Sequence, residues 1–339
     1  MPDKLCTMRE AIARLVPDGA SVVMGTALES LIPFAAGHEL IRQRRRDLTL
    51  VGPISDMLFD QLIGAGCVAR VIAAWVGNVS AGLGHNYRRA FEQGIPRPLE
   101  VVDHSNYTLG LALLAGAHGV PYLPTRSVLG SNLPDSNPTL RVAESPVPVT
   151  PPRPPNRGGS FRDTPPSAQP GSPQDWGAGG GQRIPLVLVP ALEPDVAILQ
   201  VQRSDADGNA HAWGNLGVTR EAGMASKRVI LVAEEIVARD VILSDPNRVL
   251  LPGFRVDAVV HEPFAAHPSP VQGYYGRDHA YFDEYHAETR TPDGFAGWLA
   301  AWVEGVADRA AYLARLGEAR REALLPREHR YAAPVDYGY

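Results

Sequence analysis

The sequence predicts an α/β protein built on a mainly parallel sheet with helices on both faces. Short apolar runs of strand length recur along the chain, as in SVVMG, DLTLVG and CVARVIAAWVG. Segments of helical character separate them, such as NYRRAFEQG, which a glycine closes. The runs are apolar without polar alternation, the mark of strands buried on both faces. A sheet with one wet face alternates apolar and polar side chains instead.

The elements follow in order. Residues 21–25 read as a short buried strand, and 28–45 as a helix with Pro33 in its first turn. DLTLVG is a strand and 56–63 a helix; CVARVIAAWVG is the next strand, and Gly94 ends the helix after it. PLEVVD is a strand, 107–117 a helix and VPYLP a further strand. Over 146–183 Pro, Gly, Ser and short polar residues dominate, a composition that predicts a disordered insertion. The rhythm then resumes with RIPLVLVPALEPDVAILQV, KRVILVAEEI and FRVDAVVHEP. Because the insertion interrupts one continuing pattern, residues 1–339 read as a single α/β domain. Over 293–316 a helical stripe of Phe295, Trp298, Leu299, Trp302, Val303, Val306, Ala310 and Leu313 predicts packing onto the domain or a partner.

Composition excludes several classes of function. A net charge of -5 makes the chain a poor counter-charge for a phosphate backbone, so nucleic acid is not an expected partner. Arg42, Arg44, Arg45 and Arg46 cluster at a predicted helix end, where cations suit the dipole. Cys6 and Cys67 have neither disulfide-framework nor zinc-site spacing. The opening MPDKLCTMREAIARLV reads as neither a signal peptide nor a membrane span, so the expected location is the cytoplasm. DADGNAHAWG lacks the remaining ligands of a calcium loop and reads as an Asp-Gly turn, with His211, Trp213 and Asn215 just beyond it. No metal is expected.

Chemistry is expected at the strand ends, because open α/β sheets hold ligands outside the carboxyl ends of their strands. Glycine-bearing loops stand there: Gly25-Thr26-Ala27, Gly77-Asn78-Val79-Ser80, Gly82-Leu83-Gly84-His85-Asn86 and Gly130-Ser131-Asn132. Such loops let backbone N–H groups approach an anion or a carbonyl oxygen. No phosphate-binding loop, in-register GxGxxG, HExxH or GxSxG is present. The ionisable candidates are Glu29, Asp103, His104, Glu234, Glu235, His261, Glu262 and His267. Burial of Glu234 or Glu235 against apolar groups would raise its pKa toward acid–base range.

The arrangement of these pieces resembles the class I coenzyme A-transferase family, especially its A-type subunits. Asp18-Gly19 through Gly25-Thr26-Ala27 to Pro33 keeps the spacing of the family's first signature. Thr26, Ala27 and Leu31 stand where the family has glycine, phenylalanine and glycine, which implies a differently shaped acyl pocket. The resemblance continues through GVPYLP and GSNLP, resumes with VLVPALEPDVAILQVQRSDADGNAHAWG, and is most specific in LPGFRVDAVVHEPFAAHPSPVQGYY. It implies a heteromeric enzyme, a heterodimer or heterotetramer, that moves CoA between an acyl-CoA and a carboxylic acid. The covalent glutamate would belong to a B-type partner, in a Glu-Asn-Gly-like context that this chain lacks. The CoA thioester would be substrate, with no cofactor permanently bound. By position, Gly25, Thr26, Asn78, Ser80, Asn86, Arg88, Gly130 and Ser131 are the substrate-side candidates, and Glu29 and His104 the catalytic ones. His104 stands nearest the place where a ring-opening hydrolase branch of the family carries a working glutamate. The alternatives are an acyl-CoA hydrolase, lyase or decarboxylase of the same family, and a non-catalytic metabolite-binding chain.

Overall fold

A computed structural model describes residues 4–146 and 183–326. The expected insertion over 146–183 therefore lies, apart from its two end residues, outside the described residues. Two compact units are present, one of residues up to Leu123 together with those from Pro190, the other of Pro124–Val189.

The strands are β1 (Ser21–Val23), β2 (Leu48–Ile54), β3 (Val68–Trp75), β4 (Gly77–Asn78), β5 (Gly82–Leu83), β6 (Glu100–Asp103) and β7 (Tyr122–Thr125). They continue with β8 (Arg141–Glu144), β9 (Pro185–Pro190), β10 (Val196–Ser204), β11 (Ala210–His211), β12 (Arg228–Ile236), β13 (Val249–Leu251) and β14 (Ala258–His261). In the larger unit β6, β3, β2, β1, β10, β12 and β14 lie side by side in that order, every pair parallel. β11 runs antiparallel to the carboxyl end of β10, and β13 antiparallel to β11. In the smaller unit β8 and β9 pair antiparallel, Arg141 opposite Leu188.

Period-2 alternation along these strands feeds two cores, one per face. Val22, Met24, Ile198, Ile230 and Val232 join one apolar cluster; Val23, Ala197, Leu199, Val229 and Leu231 join the other. This is the two-sided burial that continuous apolar runs demand, and it confirms the expected fold class. The chain moves outward from β1 through β2 and β3 to β6. It then returns to place β10 on the other side of β1 and moves outward again through β12 and β14. The strand order therefore reverses between β1 and β10, and the crevice outside their carboxyl ends is the topological switch point.

Two elements differ from the sequence expectation. The helix expected over 28–45 runs only Phe34–Arg42. Leu28 and Leu31 have φ of 67° and 54°, which no right-handed helix tolerates, so 24–33 is a loop and Pro33 caps the helix. The stripe over 293–316 is divided among a helix Pro292–Leu299, a wide turn Ala300–Glu304 and a helix Arg309–Leu316. Asp308 starts the last helix by accepting from the Ala311 N–H at 2.8 Å. The apolar side chains still point inward across the break: Phe295, Trp298, Val303 and Val306 are buried, whereas Ala310 is exposed. Among the described residues no helix is long and apolar enough to cross a membrane.

Candidate active site

The loop after β1, residues 24–33, enters the switch-point crevice and is gripped from several elements. Gly25 takes φ +67°, and a Cβ there would lie 2.5 Å from Ser55 Oγ, so the position admits only glycine without strain. Ser55 Oγ in turn donates to the Met24 carbonyl at 3.0 Å. Thr26 is buried with its hydroxyl 2.9 Å from that of Thr219, while its carbonyl accepts the Val218 N–H at 3.0 Å. Ser30 Oγ donates to the Asn215 carbonyl at 3.1 Å. From the other side the Leu31 N–H donates to the Pro270 carbonyl at 3.1 Å, and Ser269 Oγ donates to the Glu29 carbonyl at 2.6 Å.

A buried arginine joins the segments that follow three strands, two of the large sheet and one of the small β4–β5 pair. Arg277 Nη1 donates to Asp56 Oδ2 at 2.9 Å, and Nη2 donates to Ser80 Oγ at 3.0 Å. Glu29 Oε2 lies 4.0 Å from Nη1. Asp56 follows β2 at the start of a helix, Ser80 follows β4, and Glu29 lies in the loop after β1. Asp56 also accepts the Val79 N–H at 3.0 Å. The guanidinium carbon lies 3.6 Å from the centre of the Phe282 ring. Burial pushes the Asp56 carboxyl up to about 6, although Arg277 pulls the other way.

A second buried carboxylate stands at the carboxyl end of β12. Glu234 Oε1 accepts from Gln200 Nε2 at 2.7 Å and from the Tyr275 hydroxyl at 2.5 Å, and Oε2 accepts the Phe264 N–H at 2.7 Å. Burial pushes it up to about 7 against these donors, the behaviour expected of an apolar-packed glutamate. Its neighbour Glu235 pairs with Arg203 at 2.9 Å.

The structure brings Glu29 and Ser80 together at Arg277 and sets Gly25 and Thr26 in the same loop as Glu29. Asn78 lies beside them, its Oδ1 accepting the Ser80 N–H at 3.0 Å, whereas Asn86, Arg88, Gly130, Ser131 and His104 are held elsewhere. Asn78 is buried and donates to the Phe282 carbonyl at 2.7 Å. Asn86 donates to Asp60 at 2.9 Å within a cluster that includes the Tyr285 hydroxyl. Arg88 pairs with Glu92 at 3.1 Å on an exposed helix face. Gly130 and Ser131 belong to the smaller unit, where Ser131 Oγ donates to the Val128 carbonyl at 2.7 Å. Of the histidines, His267 is buried between Asp278 at 2.9 Å and the Tyr312 hydroxyl at 2.8 Å, whereas His261 is exposed. Burial pushes the Cys67 thiol up to about 12, which removes it as a nucleophile at neutral pH. Sequence reasoning missed Arg277, Thr219 and Tyr275. The one available signal was Asp56, an acid that opens a helix between two apolar runs.

His104 directly follows β6, is buried, and places Nδ1 3.1 Å from Thr108 Oγ1. Burial pushes it down to about 4 from 6.5, so the folded chain holds it neutral. A depressed histidine contributes stability above its unfolded pKa and loses it as pH falls toward the folded value. His104→Asn keeps a polar atom near the Nδ1 position and removes the titration. Between pH 7 and pH 4 the wild type is expected to lose about 2–3 kcal/mol more stability than this variant. Urea unfolding at both pH values measures the difference, and equal acid slopes would contradict it.

An open parallel sheet with its switch-point crevice walled by a glycine-bearing loop defines an α/β protein of the ligand-binding doubly wound kind. A family model described as Coenzyme A transferase matches residues 6–262. The A-type chain of the 3-oxoadipate CoA-transferase of Pseudomonas knackmussii is 34% identical over 317 residues, which cover 94% of this chain and 99% of that one. The corresponding chain of the glutaconate CoA-transferase of Acidaminococcus fermentans is 30% identical over 318 residues, covering 94% and 93%. The crystal structure of glutaconate coenzyme A-transferase from Acidaminococcus fermentans matches with a TM-score of 0.81 and 27% identity, over 95% of this chain and 96% of that one. The chain belongs to the class I coenzyme A-transferase family, among its A-type subunits, and its role is in enzymatic acyl-CoA chemistry.

Proposed function

We propose that this chain is the A-type half of a heteromeric CoA-transferase that moves CoA between a small acyl-CoA and a carboxylic acid. Its companion is a B-type chain carrying the covalent glutamate. The observation that carries this reading is the chemistry of the strand ends. The buried carboxylates there, Asp56 and Glu234, are each taken up by donors of the same chain. What this chain offers the crevice is the backbone of the β1 loop from Gly25 onward, with Ser80 and Glu29 gathered at Arg277 and the Thr26 hydroxyl held by Thr219.

In the proposed reaction the partner's glutamate carboxylate attacks the thioester carbonyl, CoA leaves as thiolate, and an acyl-glutamyl anhydride forms. The thiolate then attacks the glutamyl carbonyl, releasing the first carboxylate and leaving a glutamyl-CoA thioester. The acceptor carboxylate reverses both steps and departs as its CoA ester. Donors on the wall stabilise the oxyanion of each tetrahedral state, a service worth about 3–4 kcal/mol per well-placed group. CoA enters and leaves as a substrate ester.

The test uses the chain together with its B-type partner, an acyl-CoA, and isotope-labelled 3-oxoadipate or glutaconate as acceptor. Labelled acyl-CoA is expected only when both chains are present. Free CoA without labelled thioester would replace this reading with a hydrolase, and release of carbon dioxide would replace it with a decarboxylase.

A further inference from the structure

The segment 264–275 is the part of the chain that holds the β1 loop from one side. Its Ala266, Val271 and Tyr275 pack with Ala27 and Leu31 in one apolar cluster. Its Ser269 hydroxyl and Pro270 carbonyl bond the backbone of Glu29 and Leu31. Both ends of this segment are tied to a single carboxylate. Glu234 accepts the N–H of Phe264 at the start and the hydroxyl of Tyr275 at the end, at 2.7 and 2.5 Å. The two aromatic rings so joined are stacked, with centroids 4.3 Å apart and an interplanar angle of 7°. The Tyr275 hydroxyl also accepts the Ala266 N–H at 3.1 Å, closing the staple from within.

We propose that Glu234 is a positioning residue for the reaction: its carboxylate staples segment 264–275, and that segment sets the β1 loop against which the acyl group is placed. This rests on the reading of the β1 loop as an acyl-facing wall. A pocket of ≈ 300 Å³ lined by Glu234, Pro263, Phe264, Gly273, Tyr274 and Tyr275 opens onto the staple and gives protons access to it. The charged and titratable groups that face Glu234 are Tyr275, Arg309 and Glu262. Arg309 lowers its pKa and Glu262 raises it, and burial outweighs both to leave it at about 7. A protonated carboxyl carries a donor of its own and accepts more weakly than a carboxylate from the three surrounding donors, so the staple loosens as pH falls through 7.

Glu234→Gln, studied in the complex of both chains, keeps the side-chain size and removes the titration. The wild-type KM for acyl-CoA is expected to rise as pH falls from 8 to 6. The variant's KM should be roughly tenfold higher at pH 8 and flat with pH, with kcat changed far less. Tyr275→Phe, which keeps the ring stack and removes one tie, should give a smaller rise in KM. Amide hydrogen exchange of residues 24–33 provides a readout that needs no turnover. It should accelerate roughly tenfold or more in Glu234→Gln while distant strands keep their protection. Unchanged exchange in 24–33, or a KM with the wild-type pH profile, overturns the proposal. Faster exchange in the variant beside a wild-type complex that transfers no CoA would instead sink the transferase reading and leave the staple standing.

Discussion

Replacing Arg277 with methionine is expected to cost about 3–5 kcal/mol of stability, because it leaves Asp56 buried without its cation. The guanidinium is 1% exposed and Asp56 fully buried, so water cannot take over the lost contact. The same change frees Ser80, removes the positive charge 4.0 Å from Glu29 and uncovers the face of Phe282. Loops after β1, β2 and β4 lose their common anchor, and turnover of the two-chain complex is expected to fall with stability. The pH dependence has a definite sign. Asp56 is already raised to about 6 above an unfolded value near 3.8, so its contribution is present at low pH and lost as pH rises through 6. Without Arg277 that rise is larger, and the cost of the variant should be greater at pH 8 than at pH 5. Asp56→Asn combined with Arg277→Met removes both charges and should recover a large part of the loss. Urea unfolding of the wild type, Asp56→Asn, Arg277→Met and the double variant at both pH values provides the measurement. A single-variant cost under about 1 kcal/mol would show that the pair does not anchor these loops.

The larger sheet was legible in the sequence because its apolar runs have the length of strands rather than of helices, and most of them are buried on both faces. Strands β1, β2, β3, β6, β10, β12 and β14 all fall within apolar runs visible by inspection. The helix read over 107–117 runs Asn106–His118, and Gly119 at φ +64° terminates it. The start of the helix at Phe34 was not legible, because Leu28 and Leu31 adopt left-handed backbone that only tertiary contacts enforce. The site was readable in part. Gly25, Thr26 and Glu29 follow a strand and announce themselves by position, and Glu234 closes a strand as an acid among apolar residues. Arg277 and Tyr275 lie more than two hundred residues from Asp56 and Gly25, in a stretch without regular periodicity. A residue whose role is to answer a distant buried charge carries no local mark of it. Asn78 and Asn86 carried the mark of a ligand loop, yet the structure spends their amides on the Phe282 carbonyl and on Asp60.

Gly25→Ala is expected to cost about 2–5 kcal/mol. The left-handed backbone at φ +67° penalises any Cβ by about 1–2 kcal/mol, and the clash with Ser55 adds about 1–3 kcal/mol of overpacking. The two contributions separate in a double-variant cycle. Ser55→Gly removes both Oγ and Cβ, which stand 2.5 and 2.8 Å from the position a new methyl would take. It also gives up the hydrogen bond to the Met24 carbonyl, at a cost of about 1 kcal/mol. In the Ser55→Gly background Gly25→Ala should cost only the backbone share, so a coupling near zero would show that the clash is not what excludes a side chain. Activity of the same proteins in the two-chain complex then divides packing from chemistry. If turnover returns along with stability, Gly25 serves the fit of the loop against Ser55. If stability returns and turnover does not, the methyl occupies space that the acyl group needs, and the first loop of the crevice contacts the substrate through its backbone.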